Sequence, residues 1–124
     1  MKPTAEQIEA FIQQRMAQKQ YNTLNAIDDF AFDKPLVGFS SAADPLYVFY
    51  KNHIDPDFYR LPEEWLSNAY RRTFAAEEVS VVSWVLPQTA RTRALSRAAV
   101  DCPTMEWQLA RTYGEACNQS LARA

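Results

Sequence analysis

Val79-Ser80-Val81-Val82-Ser83-Trp84-Val85-Leu86 decides the fold class. The stretch is β-branched and nearly continuous in apolar character, and Pro87 stops it. A run of this kind predicts a central strand covered on both faces, as in α/β folds. Ser80 and Ser83 interrupt it, and being three apart they point to opposite faces. One of them could line a cavity, although buried serines more commonly satisfy backbone groups. Pro35-Leu36-Val37-Gly38-Phe39-Ser40 reads as a second, shorter buried strand.

The flanking segments read as helices. Thr4 with Gln7 forms a capping-box pattern, Glu6 suits the positive end of the helix, and Ile8, Phe11, Ile12 and Met16 recur at helical spacing. Residues 4–20 are therefore expected to be an amphipathic helix. Residues 21–35 read as a loop anchored by Leu24, Ile27, Phe30 and Phe32. The apolar run 46–50 has no decisive period, but Asp44 as a cap and Pro45 in a first turn favour a helix over a strand. Residues 51–60 are turn-rich. Pro62, Glu63 and Glu64 open a helix expected over 62–71. After an arginine-bearing loop with Arg91, Arg93 and Arg97, Pro103 and Thr104 precede a last helix over 105–121. Trp107, Leu109, Ala110, Tyr113, Ala116, Cys117 and Leu121 supply its apolar stripe.

Together these elements predict a single α/β domain over residues 1–124, a small mixed sheet flanked by helices. Right-handed crossovers would place the helices over the sheet faces. Two strands make a weak sheet, so further pairing is expected from residues 46–50 or from a second copy of the chain. That second option favours a homodimer.

Composition narrows the chemistry. Hydrophobic residues at 48% and aromatics at 13% indicate a folded domain. Gly38 and Gly114 are the only glycines, so no glycine-rich phosphate cradle exists. A net charge of −2 argues against nucleic-acid binding. The Arg91, Arg93, Arg97 cluster is a local exception, read as a solvated basic loop in preference to an anion contact. Cys102 and Cys117 are neither a CxxC pair nor half of a zinc site. With no apolar signal core and no membrane-length apolar run, a reduced, cytoplasmic protein is expected.

No reaction centre emerges from the side chains. His53 is the only histidine and reads as a surface turn residue, and a histidine-rich metal site is excluded. Glu63 and Glu64, being adjacent, point to different sides of a helix. Asp28 and Asp29 resemble an acidic turn or cap. Trp65, Trp84, Trp107 and the tyrosines could stack a planar ligand, but core filling or a subunit interface explains such residues more often.

Three segments nevertheless stand in a telling order: Leu61-Pro62-Glu63-Glu64-Trp65-Leu66, then residues 79–87, then Glu106-Trp107-Gln108-Leu109-Ala110-Arg111-Thr112-Tyr113-Gly114-Glu115. This order resembles the "PxEWL" helix, "SVIS-x-x-LP" strand and "EW-x-x-AR-x-x-G" helix of iron–sulfur proteins related to epoxyqueuosine reductase. Asp44-Pro45-Leu46 resembles the same family's "DPLF" opening. The resemblance covers roughly residues 36–120. Full-length relatives continue into a ferredoxin-like part with two [4Fe-4S] clusters, and each cluster needs about four cysteines. This chain has two isolated cysteines. It is therefore expected to hold no cofactor alone, whether it is an excised N-terminal domain or a natural short relative.

In the reductases, a "GRDYH" segment carries a proton-donating aspartate beside a cobalamin. Aligning on Gly114 puts Ala116 at the aspartate position, with Glu115 roughly 100° away around the helix. Catalysis by this chain alone is accordingly not expected. The resemblance implies Ser83, Trp84 and Glu115 as the cofactor-binding candidates. It also implies an accessory, non-catalytic role, packing against a cluster-binding domain. The alternatives are the corrinoid- or substrate-binding half of a reductase and a homodimeric interaction module. No nucleic acid and no membrane are expected as partners.

Overall fold

Local chemistry sets where each element starts in the computed structural model, which describes residues 2–124. The first helix, α1, spans Ala5–Met16. Its capping box is formed: the Gln7 N–H donates to Thr4 Oγ1 at 3.2 Å, and the Thr4 N–H donates to Gln7 Oε1 at 2.9 Å. Ile12 and Met16 are buried while Phe11 is exposed, so the buried stripe is narrower than the periodicity suggests. The helix ends at Met16 and a short 3-10 turn follows at Lys19–Tyr21.

Strand β1 covers Leu36–Ser41 and strand β2 covers Ser80–Val85. They pair with each other in a two-stranded sheet. The ladder is antiparallel: a Phe32–Gln88 bridge lies beyond one end, and the Ala42 N–H donates to the Val79 carbonyl at 2.9 Å beyond the other. The α/β class with a small helix-flanked sheet holds. The strand direction removes the crossovers expected above, because antiparallel neighbours need none. With only two strands, β2 is not central and both strands are edges. Ser80 and Ser83 both lie exposed.

Residues 46–50 add no third strand. They belong to α2, Pro45–Ile54, whose first turn is held by the Leu46 N–H donating to Asp44 Oδ1 at 2.9 Å. The helix runs on through His53, so the turn-rich segment begins only at Asp55. Helix α3 spans Pro62–Tyr70 and ends where Arg71 takes a left-handed conformation, φ 53°. Residues 90–98, read above as a loop, form helix α4, Ala90–Ala98, capped by Thr89. Helix α5 spans Met105–Arg123, capped by Thr104. Its buried stripe is Ala110, Gly114, Cys117 and Leu121, whereas Ala116 is exposed.

The chain divides into two compact units. One comprises the residues up to Val37 together with Trp84–Ala124, and the other is Gly38–Ser83. The first has a core of Ile12, Met16, Leu24, Ala31, Ala110, Cys117 and Leu121. Its loop 21–35 is closed by Asn22, which is buried. Asn22 Nδ2 donates to the carbonyls of Met16 (2.8 Å) and Phe32 (2.9 Å), and its Oδ1 accepts from the Phe32 N–H (2.9 Å). The Gly38–Ser83 unit is different in kind. Only Ala42 and Val79 are buried there among its apolar side chains.

Candidate functional site

Phe32, Trp84, Leu86, Ala110, Gly114 and Asn118 line a groove of about 470 Å³ within the first unit, with Arg111 and Glu115 also on its wall. Each is positioned by an ordinary element. Trp84 comes from β2, and Gly114, Glu115 and Asn118 from successive positions on α5. The Trp84 indole N–H donates to Asn118 Oδ1 at 2.8 Å, which fixes the ring orientation. Gly114 lets Phe32 approach the helix: a Cβ placed there would stand 2.7 Å from Phe32 Cζ. The groove therefore has an apolar floor and one charged rim of each sign.

Of the three residues expected to bind a cofactor, the structure brings two together. Trp84 and Glu115 line this groove. Ser83 does not, because neighbouring residues on a strand face opposite ways and Ser83 is exposed. Among the described residues, Glu115 accepts only a neighbouring-turn contact from Gln119 Nε2, at 3.3 Å. Asn118 has no place in the expected site, and Phe32, expected only as an apolar anchor of the 21–35 loop, also lines the groove. Asn118 carries no signal beyond lying four residues after Gly114 on the same helix face.

The remaining candidates are dispersed. His53 is exposed on α2 and stacks on Phe49, ring centroids 4.3 Å apart. Asp28 pairs with Lys19 at 3.2 Å, while Asp29 takes the Phe30 N–H and the Arg91 guanidinium, the latter at 2.9 Å. Two arginines of α4 are engaged inside their own unit: Arg91 also reaches Glu106 at 3.7 Å, and Arg93 reaches Asp33 at 3.7 Å and the Gln88 carbonyl. Cys102 is exposed and Cys117 buried, both as free thiols. Among the described residues, no group of three His, Cys, Asp or Glu side chains is placed to hold a metal ion. Among the described residues, no helix is long and apolar enough to cross a membrane.

The Gly38–Ser83 unit carries two surface features. One is a cleft of about 690 Å³ to which both Glu63 and Glu64 contribute. Glu64 Oε2 accepts the Leu61 N–H at 2.7 Å, and the Lys51 ammonium donates to both carboxylate oxygens at 3.0 and 3.1 Å. The Leu61 bond first, and Lys51 second, hold the Glu64 carboxyl below the usual glutamate range. A lowered folded value means that Glu64 contributes stability above its ordinary titration range. That contribution is lost as pH falls through the folded value. In thermal melts across an acid series, Glu64→Gln is expected to lower Tm at neutral pH. The difference from wild type should vanish at pH values below the folded titration; a difference independent of pH would contradict the assignment.

The second feature is α2 itself, which buries no residue. Leu46 (53% exposed), Phe49 (51%), Tyr50 (43%) and Ile54 (65%) leave an apolar stripe open, at helical spacing. Of the fourteen exposed large hydrophobic residues among the described ones, nine lie in this unit. Monomers rarely leave contiguous apolar surface of this kind uncovered.

These features define a small helix-flanked antiparallel α/β protein with a ligand-sized groove and an open apolar helix. No family model, curated protein or solved structure matches the chain.

Proposed function

We propose that this chain is a non-catalytic accessory domain whose Gly38–Ser83 unit packs against an iron–sulfur cluster-carrying protein domain. The observation that supports this reading is α2, an apolar helix with no buried residue in a unit that buries only Ala42 and Val79 among its apolar side chains. A segment of this size cannot readily build its own core, and a partner surface would supply the missing burial. The order of motifs adds the nature of the partner, since it resembles the N-terminal half of proteins that continue into a cluster-binding part. The chain's own cysteines are two and lie apart, one exposed and one buried. Any cluster would therefore come from elsewhere.

Anaerobic affinity purification from the native source, with iron and sulfide assayed and visible absorption recorded, tests the proposal. Wild type is expected to bring down a brown iron–sulfur protein. The double variant Leu46→Asp with Phe49→Asp is expected to weaken that association about 30-fold, two interface anchors of roughly 1 kcal/mol each. A colourless complex of exactly twice the chain mass by light scattering would overturn it in favour of a homodimer. A shifted corrinoid spectrum on adding hydroxocobalamin to the chain alone would overturn it in favour of a reductase half, with Trp84 and Glu115 as the residues to substitute.

A further inference from the structure

The open face of α2 carries a histidine at its centre. Leu46, Phe49, Tyr50, His53 and Ile54 follow the i, i+3, i+4, i+7, i+8 series that lines one side of a helix. At about 100° per residue, His53 lies about 20° around the axis from Leu46, between Phe49 and Tyr50. Its ring stacks on Phe49 with the two planes 26° apart, and it is exposed like its four neighbours on the stripe. Imidazole is the side chain whose charge ordinarily changes between pH 5 and 8. His53 is also the only histidine of the chain.

No counter-charge stands beside it. Helix α3 meets α2 through Glu64 on Lys51, and Lys51 lies about 160° around the axis from His53. Strand β1 meets α2 through the Ser40 hydroxyl on the Tyr47 phenol, without a charged group. Asp44 accepts the Leu46 N–H at the start of the helix, and Asp55 accepts the Asp57 and Phe58 N–H groups at its end. Among the described residues, no carboxylate forms an ion pair with His53. A partner that covers this face takes water away from the ring. A neutral imidazole tolerates that where it meets one hydrogen-bonding group, whereas an unpaired imidazolium loses its hydration without compensation.

We propose that protonation of His53 gates the docking of α2. The partner takes the face with a neutral imidazole and releases it as acidification charges the ring. The inference rests on the docking reading above and adds its regulation. Linkage fixes the sign: the complex holds fewer protons than the free chain, so affinity is full at higher pH and is lost as pH falls.

Surface plasmon resonance under nitrogen tests the gate at pH 7.5 and 5.5, with the iron–sulfur protein recovered by the anaerobic purification as the probe. Wild type is expected to bind about tenfold more weakly at pH 5.5, the extent to which a histidine of reference value about 6.5 gains charge over that interval. His53→Gln, polar but uncharged, should bind within about threefold of wild type at pH 7.5 and equally well at pH 5.5. His53→Lys, a fixed charge, should bind at least about tenfold more weakly than wild type at pH 7.5. Equal wild-type affinity at the two pH values, a pH dependence retained by His53→Gln, or full binding by His53→Lys would overturn the gate and leave docking on α2 standing. No complex at pH 7.5 would overturn the docking reading, and the gate with it.

Discussion

Asn22→Ala is expected to destabilise the chain by about 3–4 kcal/mol, the largest loss from any single side chain outside the apolar core. Its amide is a three-way tie at the centre of the first unit. It satisfies the last carbonyl of α1, at Met16, and both backbone polar groups of Phe32. Truncation leaves these three groups without a partner in a place where Asn22 itself is 1% exposed. Each orphaned group costs about 1–3 kcal/mol, and partial relaxation recovers some of it. A chain of this size should then melt roughly 15 °C lower. Asn22→Asp should be nearly as damaging, because it removes both donors and sets a negative charge against two carbonyl oxygens. The exposed Asn52→Ala serves as the control, with a change within about 0.5 kcal/mol. Urea unfolding of the three variants checks the ranking; wild-type stability in Asn22→Ala would show that the loop is not held through this side chain.

Gly114→Val is expected to cost about 2 kcal/mol, and for the opposite reason. Glycine inside a helix is ordinarily a weakness, and replacing it gains some fraction of a kcal/mol of helix propensity. Here the added Cβ would stand 2.7 Å from Phe32 Cζ, with Cε2 at 3.5 Å. Asn22 and the Gln88 bridge hold the Phe32 backbone, so relief of this contact falls on rotating the ring out of its place on α5. Overpacking of this kind costs about 1–3 kcal/mol and outweighs the propensity gain. Gly114→Ala should show a smaller loss, since its single methyl sets the clash against a fuller propensity gain. Both are read as a lower urea midpoint at unchanged slope. A Gly114→Val protein as stable as wild type would mean that Phe32 repacks freely. The two variants also couple, because both act on Phe32, so their double mutant should depart from additivity.

Much of the local structure was legible in the residues themselves. Thr4 with Gln7, Asp44 with Pro45, and Thr104 each start a helix through contacts that span two or three residues. A signal of that range survives without any knowledge of the rest of the chain. The strand at 80–85 was legible from its β-branched content and closing proline, and the one at 36–41 from a short apolar run following Pro35. The reading failed where a pattern had two interpretations. An unbroken apolar run is the same in a strand covered on both faces and in an edge strand of a two-stranded ribbon, so it carries no information on whether β2 is central. The segment bearing Arg91, Arg93 and Arg97 reads as a loop because the acidic partners of Arg91 (Asp29 and Glu106) and of Arg93 (Asp33) lie far away along the chain.

The candidate site divides in the same way. Trp84 and Glu115 were identified and do share a groove, but Ser83 was grouped with them although the strand turns it to the other face. Glu63 and Glu64 point to different sides of α3, yet both line one cleft, because a turn of about 100° still leaves both on the wall of a wide opening.

By itself, then, the sequence determined most of the element types, most of their caps, the α/β class and the scarcity of glycine. All of these depend on interactions within a few residues or on composition. Only the tertiary structure decided the strand direction, the burial of Asn22, the fit of Phe32 on Gly114 and the exposure of α2. Each of these joins, or fails to join, groups distant in the chain. Local periodicity says that an apolar face exists, whereas only the packed chain says whether anything covers it.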